Sequence, residues 1–156
     1  MLKVAIIMGS TSDYDVMSGA EQILTDFGIE FEKRVISAHR TPDLMFEYTK
    51  GLKSRGFGVV IAGAGGAAHL AGVAAGLTTL PVIAVPMPTK NLGGLDSLLS
   101  MVQMPTGIPV ATVAIGGAKN AAILAAEILA LQDTVVSEKL DGYRKAQAEK
   151  IYNTTI

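Results

Sequence analysis

Two histidines are all this sequence contains, and both lie in short segments that interrupt apolar runs: His39 in VISAHRTPD and His69 in GAGGAAH. Arg40, Thr41, Pro42 and Asp43 follow His39 directly. The last three have a local explanation, with Thr41 as a helix N-cap, Pro42 at the first helical position and Asp43 as a first-turn acid. His39 and Arg40 precede that cap and are not explained by it. An imidazole exchanges a proton near neutral pH, and a guanidinium is a fork matched to phosphate. Side by side they suit a site that anchors a small phosphorylated molecule and moves a proton on it.

Two further segments carry groups of the same kind. GSTSD, residues 9–13, reads as a turn from strand to helix. Gly9 permits a sharp backbone, Ser10, Thr11 and Ser12 offer hydroxyls, and amides at the helix start would face an anion. Capping needs one such residue, so a run of them points to a ligand. Asp13 would repel a phosphate placed beside it and better suits a sugar hydroxyl. Residues 63–69 include Gly63, Gly65, Gly66 and Ala67, which let a planar ligand or another chain approach the backbone. This loop formally fits the dinucleotide pattern G-x-G-x-x-A. It follows a third strand, however, and IAVPMPTK stands where the ribose-binding acid is required. His69 has two readings, a loop-orienting residue at a helix start or a member of the site.

Composition removes other chemistries. There is no cysteine, hence no thiolate ligand or disulfide. No carboxylate cluster suited to magnesium, zinc-type histidine spacing, P-loop or G-x-S-x-G elbow is present, and there is no tryptophan to flank a flavin. A formal net charge of −1 argues against general nucleic-acid binding. What remains is a metal-free site with one histidine placed for proton transfer.

The elements that must position these groups alternate. Apolar runs at 2–8, 31–36, 58–62, 81–85 and 109–113 read as strands, the second more polar and nearer an edge. Helical spacing covers 13–27 (with Gly28 as C-cap), 42–54, 68–77, 95–102, 118–131 and 134–152. The opening run is short and leads into Gly-Ser, so it reads as a core strand and not a signal peptide. Residues 56–89 lack Asp, Glu, Lys and Arg, but glycines and prolines break the stretch, which parses as strand, loop, helix and strand. The alternation predicts an α/β fold: a three-layer α/β/α sandwich on a five-stranded parallel sheet in flavodoxin-like order 2-1-3-4-5, as one domain over 1–156. In such sheets ligands bind beyond the carboxyl ends of the strands, where GSTSD, SAHRTPD, GAGGAAH, PMPTKNLGG and AIGGA all fall. The helix at 118–132 is apolar nearly all round, which predicts the sheet on one side and a neighbouring subunit on the other. The helix at 134–152 is expected to pack on a neighbouring subunit through Val136, Leu140, Tyr143 and Ile151.

MGSTSD, SAHRTPD, AGAGGAAHLAG, LDSLLSMVQMPTGIPVATVAIG and NAAILAAEILAL together resemble the class I N5-carboxyaminoimidazole ribonucleotide mutases of bacterial purine synthesis, in the family's order and over most of the chain. The resemblance implies a cytoplasmic homo-octameric isomerase without metal or organic cofactor, which moves a carboxylate from the exocyclic nitrogen to C4 of an imidazole. It implies His39 as general acid/base, Arg40 for phosphate, Ser10 and Asp13 for substrate with Asp13 on the ribose hydroxyls, and Ser37 lining the site. Gly65, Gly66, Ala67 and His69 would surround the imidazole and the carbon dioxide. The chain departs at Ala71, where the family often has proline. Class II carboxylases usually carry lysine in place of Arg40 and lack GGAAHL. Two other readings stay open on the residues alone: a nucleotide- or flavin-binding module, from GSTSDYD after the first strand, and a class II carboxylase.

Overall fold

The first strand, β1 (Lys3–Met8), is apolar at every position from Val4 onward because both its faces are covered: Val4 through Ile7 are completely buried. The computed structural model describes residues 1–155. After β1 come a one-turn 3₁₀ helix (Thr11–Asp13), α1 (Tyr14–Phe27), β2 (Phe31–Val35), α2 (Pro42–Gly51), β3 (Phe57–Ala64) and α3 (Leu70–Leu77). Then follow β4 (Val82–Pro86), α4 (Leu95–Val102), β5 (Ala111–Thr112), α5 (Ala118–Ala130) and α6 (Thr134–Tyr152). The five strands pair in parallel in the order β2-β1-β3-β4-β5. This is the expected α/β fold in the flavodoxin-like order, with the more polar β2 at an edge.

Alternation along the strands divides the core into two layers. Val4, Ile6, Met8, Val59, Ile61, Ile83 and Val85 pack against α1, α5 and α6. Ala5, Ile7, Val60, Ala62, Val82 and Ala84 pack against Met45 and Tyr48 of α2, Leu70, Ala71 and Ala74 of α3, and Met101 of α4. Ala71 is a fully buried packing residue of that second layer.

The structure differs from the sequence reading in four places, each with a local cause. Helix α2 ends at Gly51 and a separate 3₁₀ turn, Lys53–Arg55, leads to Gly56 at φ 82°. Strand β3 continues through Gly63 and Ala64, which pair with Met8 and Pro86. Helix α3 starts at Leu70 because the amides of Ala68 and His69 are held in tight turns by the carbonyls of Gly66 and Ala67, at 2.8 and 2.9 Å. Strand β5 shrinks to two residues, and Pro109 has no N–H to give to a ladder.

Helix α5 is also covered within its own chain. Ala121, Ala122, Ala125 and Ala126 are fully buried between the sheet, α1 and α6 of the same chain. Helix α6 turns back on α5, burying Val136 and Leu140. Tyr143 meets the Phe27 ring edge-on at 5.6 Å, and Lys139 donates to the Phe27 carbonyl at 2.9 Å. The far end of α6 leaves Ile151 and Tyr152 exposed.

Gly63 marks where small size is required beneath the rim. A Cβ there would lie 2.5 Å from Met17 Sδ and 2.6 Å from Met87 Cε, both side chains being buried. Gly63→Ala is therefore expected to destabilise the fold by about 1–3 kcal/mol through overpacking, read as a lowered thermal midpoint. An unchanged midpoint would show that the methionines yield freely.

Candidate active site

The parallel register ends β1, β2, β3 and β4 together, pairing Met8 with Val35 and Gly63, and Ala64 with Pro86. The loops leaving these ends enclose a cleft of about 380 Å³. Gly9, Ser10, Ser12 and Asp13 line it from the first loop, Ser37 to Arg40 from the second, Ala64, Gly65, Ala67, His69 and Leu70 from the third, and Met87 and Pro88 from the fourth.

The first loop is closed by its own side chains. Ser10 is extended at φ −150°, its Oγ accepts the Ser12 amide at 3.3 Å, and Asp13 Oδ2 accepts the Ser10 amide at 3.0 Å. Ser12 Oγ donates to Ser10 Oγ at 3.0 Å. Ser10 is thus a cap, as one reading held, and it also faces the cleft. Burial pushes the Asp13 carboxyl above its ordinary value of 3.8, an effect larger than the opposing pull of the Ser10 and Gly9 amides.

The second loop corrects the capping assignment. Thr41 occupies the N-cap position of α2, but its side chain makes no cap bond. Its hydroxyl accepts the Ser37 amide at 3.1 Å and donates to the Ser37 carbonyl at 2.9 Å. Ser37 Oγ in turn accepts the Arg40 amide at 3.1 Å. Thr41 therefore fastens a closed turn over 37–41, which carries His39 and Arg40 outward as exposed side chains.

The third loop brings His69 to the cleft. It stands at the head of α3 without a side-chain cap bond. Its Nδ1 lies 2.9 Å from His39 Nε2, with the rings edge-on at 5.0 Å between centroids and 82° between planes. One nitrogen of this pair donates and the other accepts, so the contact fixes the orientation of each ring against the other. His69 thus lines the cleft beside His39.

Of the nine residues singled out, eight line the cleft. Gly66 does not: its φ is 73°, its amide is donated to Ser97 Oγ at 3.0 Å, and its carbonyl accepts from Ser100 Oγ at 3.2 Å. It shapes the loop from behind. The structure adds Gly9, Ser12, Ala38, Ala64, Leu70, Met87 and Pro88. The position of PMPTKNLGG after the fourth strand was the signal for Met87 and Pro88. Among the described residues, no group of three or more His, Cys, Asp or Glu is arranged to hold a metal ion, and no helix is long and apolar enough to cross a membrane.

Known proteins are similar to this chain over nearly all of its length. The family model for AIR carboxylase matches residues 3–150. The N5-carboxyaminoimidazole ribonucleotide mutase of Saccharolobus solfataricus is 56% identical over 156 residues, spanning 100% of this chain and 99% of the relative. That of Bacillus subtilis is 54% identical over 154 residues, spanning 97% and 95%. The crystal structure of Treponema denticola PurE superposes with a TM-score of 0.88 at 33% identity, covering 97% of this chain and 95% of that one.

The raised Asp13 pKa has a signed consequence. Stability from this group is fully present below the ordinary value of 3.8 and is lost as pH rises through the higher folded value. At neutral pH the ionised carboxylate is a cost, and Asp13→Asn removes it while keeping an oxygen acceptor for Ser10. The variant is expected to melt above the parent at neutral pH, with the advantage vanishing in acid. An advantage independent of pH would contradict burial as the cause.

Proposed function

The chain belongs to the AIR carboxylase family, and on that footing we propose that it is an N5-carboxyaminoimidazole ribonucleotide mutase of purine biosynthesis. The observation that carries this reading to individual residues is the single cleft that gathers one guanidinium, one half-buried carboxyl and a paired imidazole on a wall of small residues. Arg40 holds the phosphate. Ser10 and Asp13 hold the ribose, where sugar hydroxyls donate to the carboxylate and relieve its burial. Ser37 fixes the Arg40 backbone. The imidazole lies against Gly65 and Ala67, over Leu70 and Met87.

In the proposed route His39 protonates the exocyclic nitrogen as its bond to the carboxyl carbon breaks, releasing carbon dioxide into the cleft. C4 then attacks that carbon, and His39 recovers a proton from C4. One proton enters and one leaves, so the reaction is an isomerisation with no cofactor. His69 holds the His39 ring through both transfers. Arg40 and the GGAAHL run favour the mutase over a carboxylase that draws on free carbon dioxide.

The enzyme is proposed to act in the cytoplasm as a homo-octamer. Support for self-association is the outer face of α4, where Leu95, Leu99 and Val102 recur at helical spacing and stand 51, 49 and 47% exposed. Leu99→Glu is expected to yield smaller species by light scattering, and an unchanged mass would remove α4 from the interface.

A spectrophotometric assay with N5-carboxyaminoimidazole ribonucleotide in the presence of chelator tests the activity. Exclusive turnover of aminoimidazole ribonucleotide with bicarbonate would select the carboxylase instead. His39→Asn is expected to keep ligand affinity and lose at least the 10²- to 10⁴-fold typical of proton transfer. Near-parental turnover would remove His39 from the chemistry.

A further inference from the structure

Helix α4 has a second face, opposite the exposed leucines, and that face carries a buried hydroxyl. Ser97 is completely buried and does not line the cleft. Its Oγ donates to the Met87 carbonyl at 2.8 Å and accepts the Gly66 amide at 3.0 Å. One turn on, the single proton of Ser100 Oγ is shared between the Asp96 carbonyl at 2.7 Å and the Gly66 carbonyl at 3.2 Å. Both backbone polar groups of Gly66 are therefore bonded to α4.

These bonds join two walls of the cleft. Met87 lines it from the loop after β4, and Gly65 and Ala67, on either side of Gly66, line it from the loop after β3. The two segments are close-packed there, since a Cβ on Gly65 would lie 3.2 Å from Met87 Cβ. A buried hydroxyl is unfavourable unless its bonds are made, and losing it leaves an amide and a carbonyl unpaired. The carbon dioxide of the proposed route is neutral, small and offers little to grip, so only tight walls can retain it between the two steps.

We propose that Ser97 is a positioning residue for carboxyl transfer, setting the separation of the Gly65–Ala67 backbone from Met87 so that carbon dioxide is retained until C4 attacks. This rests on the mutase reading above. A loosened wall would let the gas escape, leaving aminoimidazole ribonucleotide as a product.

The test follows Ser97→Ala in the full chain, with Thr49→Ala as a control. Thr49 is also completely buried, but it lies on α2 and bonds only Met45 sulfur, at 3.7 Å. For each protein one measures thermal midpoint, kcat, KM and the fraction of N5-carboxyaminoimidazole ribonucleotide recovered as the 4-carboxy product, after subtracting enzyme-free decarboxylation. Both variants are expected to melt lower. Only Ser97→Ala should divert substrate to aminoimidazole ribonucleotide and lose about 10- to 10²-fold in kcat, the scale of a misplaced reacting group, with KM little changed. Ser97→Cys should restore part of the coupling. If Ser97→Ala does not fold, Ser100→Ala must show the same diversion. Full product recovery and parental kcat in the folded variants would overturn the proposal while leaving the mutase reading intact. A parent that does not convert the substrate overturns both.

Discussion

The whole site depends on a parallel sheet whose strands stop at one level. Once β1, β3 and β4 are buried on both faces, their residues can be little other than Val, Ile, Ala and Met. Polar chemistry is then confined to the loops. Because Met8, Val35 and Gly63 share one register line, the loops leaving three neighbouring strands open toward the same volume. Two histidines thirty residues apart meet for that reason. Gly63 belongs to the same constraint, since Met17 and Met87 close over it and support the floor of the cleft.

Most hydroxyls at the rim are engaged in building their own loops. Thr41 and Ser37 close one turn, Ser10 and Asp13 another, and Ser97 and Ser100 brace a third from behind. The few groups left facing the cleft are consequently carried on stiff supports. That suits a reaction in which the reacting fragment is briefly unattached, because geometry must be set before it is released.

The fold was legible because its signals are local. Apolar runs and helical spacing located the five strands and six α-helices, and the polar composition of β2 identified an edge. Chemistry-bearing residues were legible from their position after strands: His39 and Arg40 stood out because the cap behind them had its own explanation. What stayed hidden depends on choices between partners that a linear reading cannot rank. Thr41 had the type and place of an N-cap, yet the Ser37 backbone was nearer to its hydroxyl. The packing of α6 along α5 was hidden as well: Asp133 caps a new helix almost at once, accepting from the amides of Val135 and Val136 at 3.1 and 3.3 Å, and that helix returns along α5. Gly66 was read as a lining residue, but its positive φ turns both its polar groups toward α4.

Under the proposed function one rim has to hold an anion and shelter a neutral gas, and its electrostatics suits both. Arg40 is exposed, so its guanidinium is hydrated and open to exchange of water for an anion. Asp13 is half-buried and disfavoured as an anion, so hydroxyl donors at its end of the cleft gain more than they would from a solvated carboxylate. The bond between the two imidazoles holds the His39 ring in one orientation at the exposed end of the cleft. Beyond these groups the wall is Ala64, Gly65, Ala67, Leu70 and Met87, with no charge to order water. On the proposed reading, ionic grip is confined to the parts of the substrate that do not react, and the reacting end meets apolar surface, the imidazole pair and backbone held in place by the serines of α4.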